Sequence, residues 1–498
     1  MIIGLDVGTT NTKAVLFDQT GKTWASAKSG YALAQRQPGY AEQDPVAILA
    51  AVKQTVQQVG QQAQQAGWPI EALVISTAMH SVLLLDQQHQ PLTPVITWAD
   101  NRSAAIAHEW QQDQQATAIY QRTGTPVHPM TPLCKLRWLQ LRQPALYQSA
   151  SYISDLKSYL CWHLTQEFVI DTSLASATGL YNWQREAWDD ALLDLLQITP
   201  QQMPKIVPIT QQLSLTQQMA TALSLPTNLP IVVGASDGAL SNLGLAASQA
   251  EQIALTIGTS GAVRIISEQP HLDPAGCLFC YQLRKNQWLI GGPVNNGGLV
   301  LQWAEQNLAT PTTKHYQPLW QMASESPAGA HGLLFYPYLN GERAPLWDAT
   351  ASGSFIGLTQ RHQRADILRS VLEGVTLNLS VVYQQITALT GPVTAIHAAG
   401  GFAQSTLWCQ LVADVFGQNV VIPTQVESSS LGAAIVGWQS LRNDPNFSIP
   451  LQSTRNYQPQ PENQQIYQEL LPLWQKLGQN LTQQYQTIAH WQQHLDNQ

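Results

Sequence analysis

Short apolar runs, each stopped by a turn rich in glycine and hydroxyl side chains, recur along this chain. Ile2-Ile3-Gly4-Leu5-Asp6-Val7 and Thr12-Lys13-Ala14-Val15-Leu16-Phe17 are two such runs, and Gly8-Thr9-Thr10-Asn11 separates them. The pattern predicts strand, tight turn, strand. Ile253-Ala254-Leu255-Thr256-Ile257, Gly258-Thr259-Ser260-Gly261 and Ala262-Val263-Arg264-Ile265-Ile266 repeat it, and Gly258 falls 250 residues after Gly8, about half the chain. Ala72 to Ser76 reads as a strand that leads into Met79-His80-Ser81 and out through Val82-Leu83-Leu84-Leu85-Asp86. Ile231-Val232-Val233 is another, ending at Gly234-Ala235-Ser236-Asp237-Gly238. Asp44-Pro45 predicts a helix N-cap followed by proline at the first helical position. Val46, Ile48, Leu49, Val52, Val56 and Val59 then form a stripe at helical spacing. Residues 151–200 are mixed in pattern and elaborate this first half. In the second half, Val393 to Ala398 reads as a strand, followed by Gly400-Gly401 and a helix through Leu407 and Val412.

Strands alternating with helices, twice over, predict two similar α/β domains with a ligand cleft between them. A chain of 498 residues is too long for one core in any case. The divisions expected are 1–246, 247–443 and a glutamine-rich tail over 444–498. Leu470, Leu471, Leu473, Trp474 and Leu477 give the tail one apolar face, which suits packing on the second domain.

Composition narrows the classes. Charged residues make up 11% of the chain and the net charge is −8, with no long basic run, so nucleic acid is not the expected partner. No apolar run reaches membrane-spanning length, and Met1 leads directly into a strand rather than a signal peptide. Five scattered cysteines suit a reducing cytoplasm. Cys277-Leu278-Phe279-Cys280 is a lone CxxC, better read as part of a strand than as a metal or redox site. His490 and His494 share a helix face, but without a third ligand they read as solvated.

The two hairpins carry the first chemistry. A turn such as Gly8-Thr9-Thr10-Asn11 directs backbone N–H groups and hydroxyls into one concavity, which suits a phosphate. Asp6 beside it makes sense if a cation lies between carboxylate and phosphate, and Mg²⁺ is the usual one. Two such turns could hold a nucleotide from both sides, or they could be ordinary hairpins in two sheets. Neither a Walker A motif nor a protein-kinase set occurs. Gly234-Ala235-Ser236-Asp237-Gly238 supports two incompatible readings. It matches G-x-S-x-G, with Ser236 as a hydrolase nucleophile, or it presents Asp237 as a general base. No oxyanion motif of the HGGG type lies upstream, and His397 sits in an apolar strand. Met79-His80-Ser81 and Trp98-Ala99-Asp100-Asn101-Arg102 mix bulk with hydrogen-bonding groups, as a polyol site requires. Arg102 could clamp a carboxylate, though either segment alone also reads as a surface loop.

At this point the residues resemble a known family. The segment Asp6 to Asp18, Met130-Thr131-Pro132-Leu133-Cys134-Lys135-Leu136-Arg137-Trp138-Leu139, Tyr338-Leu339-Asn340-Gly341-Glu342-Arg343-Ala344-Pro345, and Gly400-Gly401-Phe402-Ala403-Gln404-Ser405 through Asp414 and Gly417 are similar, in order, to the motifs of FGGY-type carbohydrate kinases. The resemblance spans about 410 residues. It implies an α/β fold of two actin-like (ribonuclease H-like) ATPase domains and ATP-dependent phosphorylation of a sugar or polyol. Within the family, Pro38-Gly39-Tyr40-Ala41-Glu42-Gln43-Asp44-Pro45, Met79-His80-Ser81 and Ile96 to Ser103 look most like gluconate kinases. Xylulose kinases tend to glycine where this chain has Ser81. The implied reaction is ATP plus D-gluconate to ADP plus 6-phospho-D-gluconate, with xylulose or another polyol as the alternative substrate.

By position, the resemblance makes Asp237 the catalytic base and Asp6 the carboxylate on the Mg²⁺ side. It sets Thr9, Thr10 and Lys13 at the ATP phosphates, Gly258 and Thr259 in the second phosphate segment, and Gly298, Gly401 and Ser405 near the nucleotide. Met79, His80, Trp98, Asp100 and Arg102 fall in the sugar-facing segments. Many relatives are dimers, so a homodimer is compatible with the resemblance. Two readings from other classes stand beside it: a serine hydrolase using Ser236, and an actin-like ATP-binding protein that transfers no phosphate.

Overall fold

The structure is a computed structural model that describes residues 1–248, 251–308, 317–424, 427–451 and 454–496. The chain divides into two units. The first comprises Met1–Ala246, Ser267–Leu289 and Glu427–Pro450, and the second Ala247–Ile266, Ile290–Val426 and Leu451–Gln498.

The first unit is built on a six-stranded sheet in the order Gln212–Ser214, Pro230–Val232, Ala72–Thr77, Ile2–Val7, Asn11–Phe17 and Thr23–Gly30. Ile2–Val7 and Asn11–Phe17 pair antiparallel, as the hairpin pattern predicts, and Thr23–Gly30 adds a third antiparallel strand. Ala72–Thr77 and Pro230–Val232 join in parallel, and Gln212–Ser214 closes the far edge in antiparallel sense. Alternation sorts the residues of Ile2–Val7 onto two faces. Ile3, Leu5 and Val7 join the core formed with Ile48, Val52, Val56 and Val59, residues of the helix Pro45–Ala66. That helix begins as the sequence predicts, with Asp44 accepting the Val46 N–H at 2.8 Å.

The opposite face carries Ile2, Gly4 and Asp6, and it receives the helix Ser428–Arg442. The approach there is backbone to backbone. A Cβ on Gly4 would lie 2.1 Å from the Ser430 carbonyl oxygen. A Cβ on Gly432 would lie 1.8 Å from that of Leu240, in the helix Asp237–Gly244. Glycine at these positions lets two helices and a strand meet without side chains between them.

The second unit repeats the strand plan. Gln252–Ile257 and Gly261–Ser267 form an antiparallel hairpin. Ala395–Ala399 and then Val420–Pro423 join in parallel, and Thr454–Tyr457 closes the edge in antiparallel sense. Gln287–Val294 lies on the other side of Gly261–Ser267. The long helix Arg364–Thr390 is buried over most of its length, and the C-terminal helix Pro461–Asp496 packs beside it in a cluster with Tyr336, Leu471 and Trp474. Leu470 and Leu477 pack against this cluster. Leu473, assigned from sequence to the same apolar face, is instead half exposed: it stands two positions from Leu471, about 200° around a helix of 3.6 residues per turn.

Among the described residues no helix is long and apolar enough to cross a membrane. No disulfide joins the cysteines. Cys280 lies within the strand Phe279–Arg284 and Cys277 just before it.

Candidate active site

The turn that follows Ile2–Val7 is pinned from several directions. Gly8 N–H donates to the Asn11 carbonyl at 3.0 Å and Tyr31 N–H to that of Thr10 at 3.1 Å. The Tyr31 hydroxyl donates to the Gly8 carbonyl at 2.6 Å. The Gln43 amide donates to the Thr9 carbonyl, and the Trp98 indole N–H donates to the Thr9 hydroxyl at 2.9 Å. A backbone held this firmly keeps its donors oriented for an anion, which is what preorganisation requires.

Asp6 stands at the base of the turn. Register places it opposite Lys13 on one side and Ser76 on the other, so all three side chains share a face. Ser76 Oγ donates to Asp6 Oδ1 at 2.8 Å. Lys13 Nζ pairs with Glu427 Oε1. Burial pushes the Asp6 carboxyl up to about 7, and the neighbouring charges of Asp237 and Glu427 push it the same way, against the lowering by Ser76 and Lys13. Three carboxylates therefore face one ammonium. That excess of negative charge is the environment in which a divalent cation is stabilised.

Asp237 opens the helix Asp237–Gly244, whose N-cap is Ser236. The Asp237 carboxylate accepts its neighbour Gly238 N–H at 2.7 Å, and its carbonyl accepts Ser429 Oγ at 3.3 Å. Asp237 is half-buried, whereas Ser236 is fully buried with its hydroxyl capping the Ala239 N–H at 3.4 Å. A nucleophile elbow needs an exposed hydroxyl; Ser236 does not supply one.

The segments expected from sequence to face the sugar divide by what they contact. Asp100 is buried and accepts the Ala41 N–H at 2.7 Å. Its two oxygens receive Arg102 Nε and Nη2, each at 2.8 Å, and Nη2 also donates to Glu42 at 2.6 Å. The guanidinium lies 3.8 Å from the Tyr40 ring centroid and 5.3 Å from that of Trp138. The cation proposed from sequence as a substrate clamp thus already holds two carboxylates of its own chain. Trp98 is half-buried and ties this loop to the Gly8–Asn11 turn through Thr9. His80 adopts a left-handed backbone with φ 66°. Its ring contacts the Ala177 carbonyl at 2.9 Å, and its own carbonyl accepts Lys135 Nζ at 2.6 Å. Met79 packs against Leu174 and Tyr181.

In the second unit, Gly298 N–H donates to the Gly258 carbonyl at 2.6 Å and Leu299 N–H to that of Thr259 at 3.1 Å. The turn of the hairpin therefore abuts the start of the helix Gly298–Leu308. A Cβ on Gly400 would lie 2.1 Å from the Ile257 carbonyl oxygen, which brings Gly401 to the same end of the sheet. Gly258, Thr259, Gly298 and Gly401 are thus gathered. Ser405 differs: it is buried and caps the helix Thr406–Phe416 through the Trp408 N–H at 3.2 Å.

Sequence reasoning passed over Glu427, Ser76 and Lys135. Glu427 precedes Ser428-Ser429-Ser430 at a helix start, and that cue alone does not place it beside Lys13.

The N-terminal domain model of the FGGY family of carbohydrate kinases matches residues 1–244, and the C-terminal domain model matches residues 253–440. The chain belongs to the FGGY family of carbohydrate kinases. It is 41% identical to a gluconokinase of Bacillus licheniformis, over 100% of this chain and 99% of that protein. Two solved structures, a ligand-bound xylulose kinase and a gluconate kinase, both from Lactobacillus acidophilus, each match with a TM-score of 0.94, covering 98% of this chain and 99% of theirs, at 39% and 38% identity. As an FGGY kinase the protein is a phosphotransferase with actin-like ATPase domains, acting on ATP and a small sugar substrate. Kinases of this kind typically use a divalent metal with ATP. Among the described residues no group of three histidine, cysteine or acidic side chains is arranged to hold a metal alone. The carboxylates of Asp6 and Glu427 fit a divalent cation whose remaining ligands are phosphate oxygens and water.

Proposed function

We propose that this FGGY kinase phosphorylates D-gluconate at its terminal hydroxyl, giving 6-phospho-D-gluconate, with ATP as the donor. The observation that carries the substrate is the 41% identity to a gluconokinase across essentially the whole of both chains. Xylulose is the second reading, because the L. acidophilus xylulose kinase is as similar in structure as the gluconate kinase.

In this reading Asp237 accepts the proton of the sugar hydroxyl as its oxygen attacks the γ-phosphorus, and the bond to the β-phosphate oxygen breaks. Thr9, Thr10 and Lys13 meet phosphate oxygens. Asp6, with Glu427, holds Mg²⁺, which when bound neutralises charge on those oxygens. Trp98 and His80 shape the sugar side, while Asp100 and Arg102 hold the shape of the loop that carries Trp98. Gly258, Thr259, Gly298 and Gly401 offer backbone to the nucleotide. The reaction runs in the cytoplasm, a reading supported by five scattered cysteines, an odd number.

Coupled ADP-release assays with gluconate, xylulose and glycerol test the substrate. The highest kcat/KM belongs to gluconate; a preference for xylulose would overturn the assignment. Asp237→Asn folds normally, binds ATP and loses roughly 10²–10⁴-fold in kcat, the range general-base help supplies. Near-normal turnover in that variant would remove Asp237 from the base role.

A further inference from the structure

Behind the turn that carries Asp237 the first unit buries an ion pair that the proposed mechanism does not use. Lys157, in the helix Leu156–Thr165, is wholly buried, as is Asp171, and the two lie 3.3 Å apart. Lys157 Nζ also donates to the carbonyls of Ile75 at 2.7 Å, Val233 at 2.7 Å and Ala235 at 3.3 Å. These carbonyls lie in a gap between two parallel strands, whose ladder ends at Val74 and Val232 and resumes as a single bridge between Thr77 and Ser236. Buried carbonyls in that gap need a donor, and one ammonium serves three of them.

Asp171 continues the chain of contacts. Its Oδ1 accepts the Ser173 hydroxyl at 2.5 Å and the N–H groups of Ser173 and Leu174 at 3.0 and 3.1 Å. The Ser173 oxygen in turn accepts the Ser236 N–H at 2.9 Å, the peptide group one residue before Asp237. Gly234, with φ 72°, presses so near the Ile75 carbonyl that a Cβ would lie 2.1 Å from its oxygen. The turn Gly234–Asp237 is therefore held on its carbonyl side by Lys157 and on its amide side by Ser173. An apolar core of similar volume would be at least as stable as a buried ion pair. What the charged network adds is a fixed position for the backbone it grips.

We infer that Lys157, Asp171 and Ser173 are positioning residues that hold the Asp237 carboxylate at the acceptor hydroxyl. The inference rests on Asp237 as the base. Small displacements of a catalytic group are costly, since about 1 Å can lose 10²-fold in rate. A network that fixes the base acts on turnover rather than on substrate affinity.

The test uses Ser173→Ala, which removes the acceptor of the Ser236 N–H and leaves the ion pair intact. It lowers kcat about ten-fold with the KM values for gluconate and ATP little changed, and Ser173→Thr, which keeps the hydroxyl, restores most of the loss. In an Asp237→Asn background the same change costs nothing further, because residues acting as one unit are not additive. A lower melting temperature with unchanged kcat, or an equal loss in the Asp237→Asn background, would overturn the inference. Failure of the base assignment itself shows separately, as near-normal turnover of Asp237→Asn alone.

Discussion

Trp98 and Thr9 are joined by one hydrogen bond of 2.9 Å, from indole N–H to hydroxyl, although 89 residues separate them. The bond couples the loop read as sugar-facing to the turn read as phosphate-facing. Trp98→Phe keeps most of the ring and loses the donor. A neutral hydrogen bond is worth about 1 kcal/mol, so kcat/KM falls roughly five-fold. The loss appears for ATP as well as for gluconate, and steady-state kinetics with each substrate varied in turn measures both.

Arg102 separates two roles for a cation read from sequence as sugar-facing. Its fork is bonded to Asp100 and Glu42. Lysine cannot reproduce that geometry. Arg102→Lys therefore raises KM for gluconate and for uncharged polyols by similar factors, and lowers stability by roughly 1–3 kcal/mol. A loss confined to gluconate would instead mark Arg102 as a clamp on the substrate carboxylate.

Lys135 makes stability depend on pH in an unusual direction. Burial pushes its ammonium down from 10.5 to about 7, Arg102 adds to the fall, and Asp100 opposes it. Between those values the unfolded chain holds a proton that the native chain lacks, so raising the pH favours the native state. Relative to Lys135→Met, the parent chain gains stability from pH 7 to pH 9.5, by at most about 1.4 kcal/mol per pH unit. Denaturant midpoints for the two proteins across that window check both the sign and the slope.

Gly4→Ala tests the close contact beneath the site. The added methyl would lie 2.1 Å from the Ser430 carbonyl oxygen. Either the strand or the helix Ser428–Arg442 must shift, at a cost of roughly 3 kcal/mol. Activity falls as well, because Glu427 heads that helix beside Lys13. A melting curve unchanged from the parent would refute the packing.

Both hairpins, the Asp44 cap and the strand leading to Asp237 were legible because each is written in local order: alternation, a turn, a capping carboxylate. The Asp6 environment was legible only in part. Its position before a phosphate-type turn is local, but the charges that set its protonation come from Asp237 and Glu427, which no periodicity connects to it. Arg102 shows the converse. Its residue type pointed to a clamp on a substrate carboxylate, whereas the folded chain engages its fork with Asp100 and Glu42, which no local pattern connects to that role. Lys135 and Lys157 were invisible as buried groups, since lysine in sequence reads as surface and only the surrounding carbonyls, with Asp171 for Lys157, justify burial.

The helix Ser428–Arg442 also sets a timetable. It lies against the strand Ile2–Val7, yet more than 400 residues of chain separate the two. The sheet is complete once Pro230–Val232 is made, and at 5–20 residues per second it then waits roughly 10–40 s for the segment that covers its Gly4 face. Through that interval an apolar surface and the Asp6 carboxylate stand uncovered, and a chain cut short before Glu427 would leave them so for good.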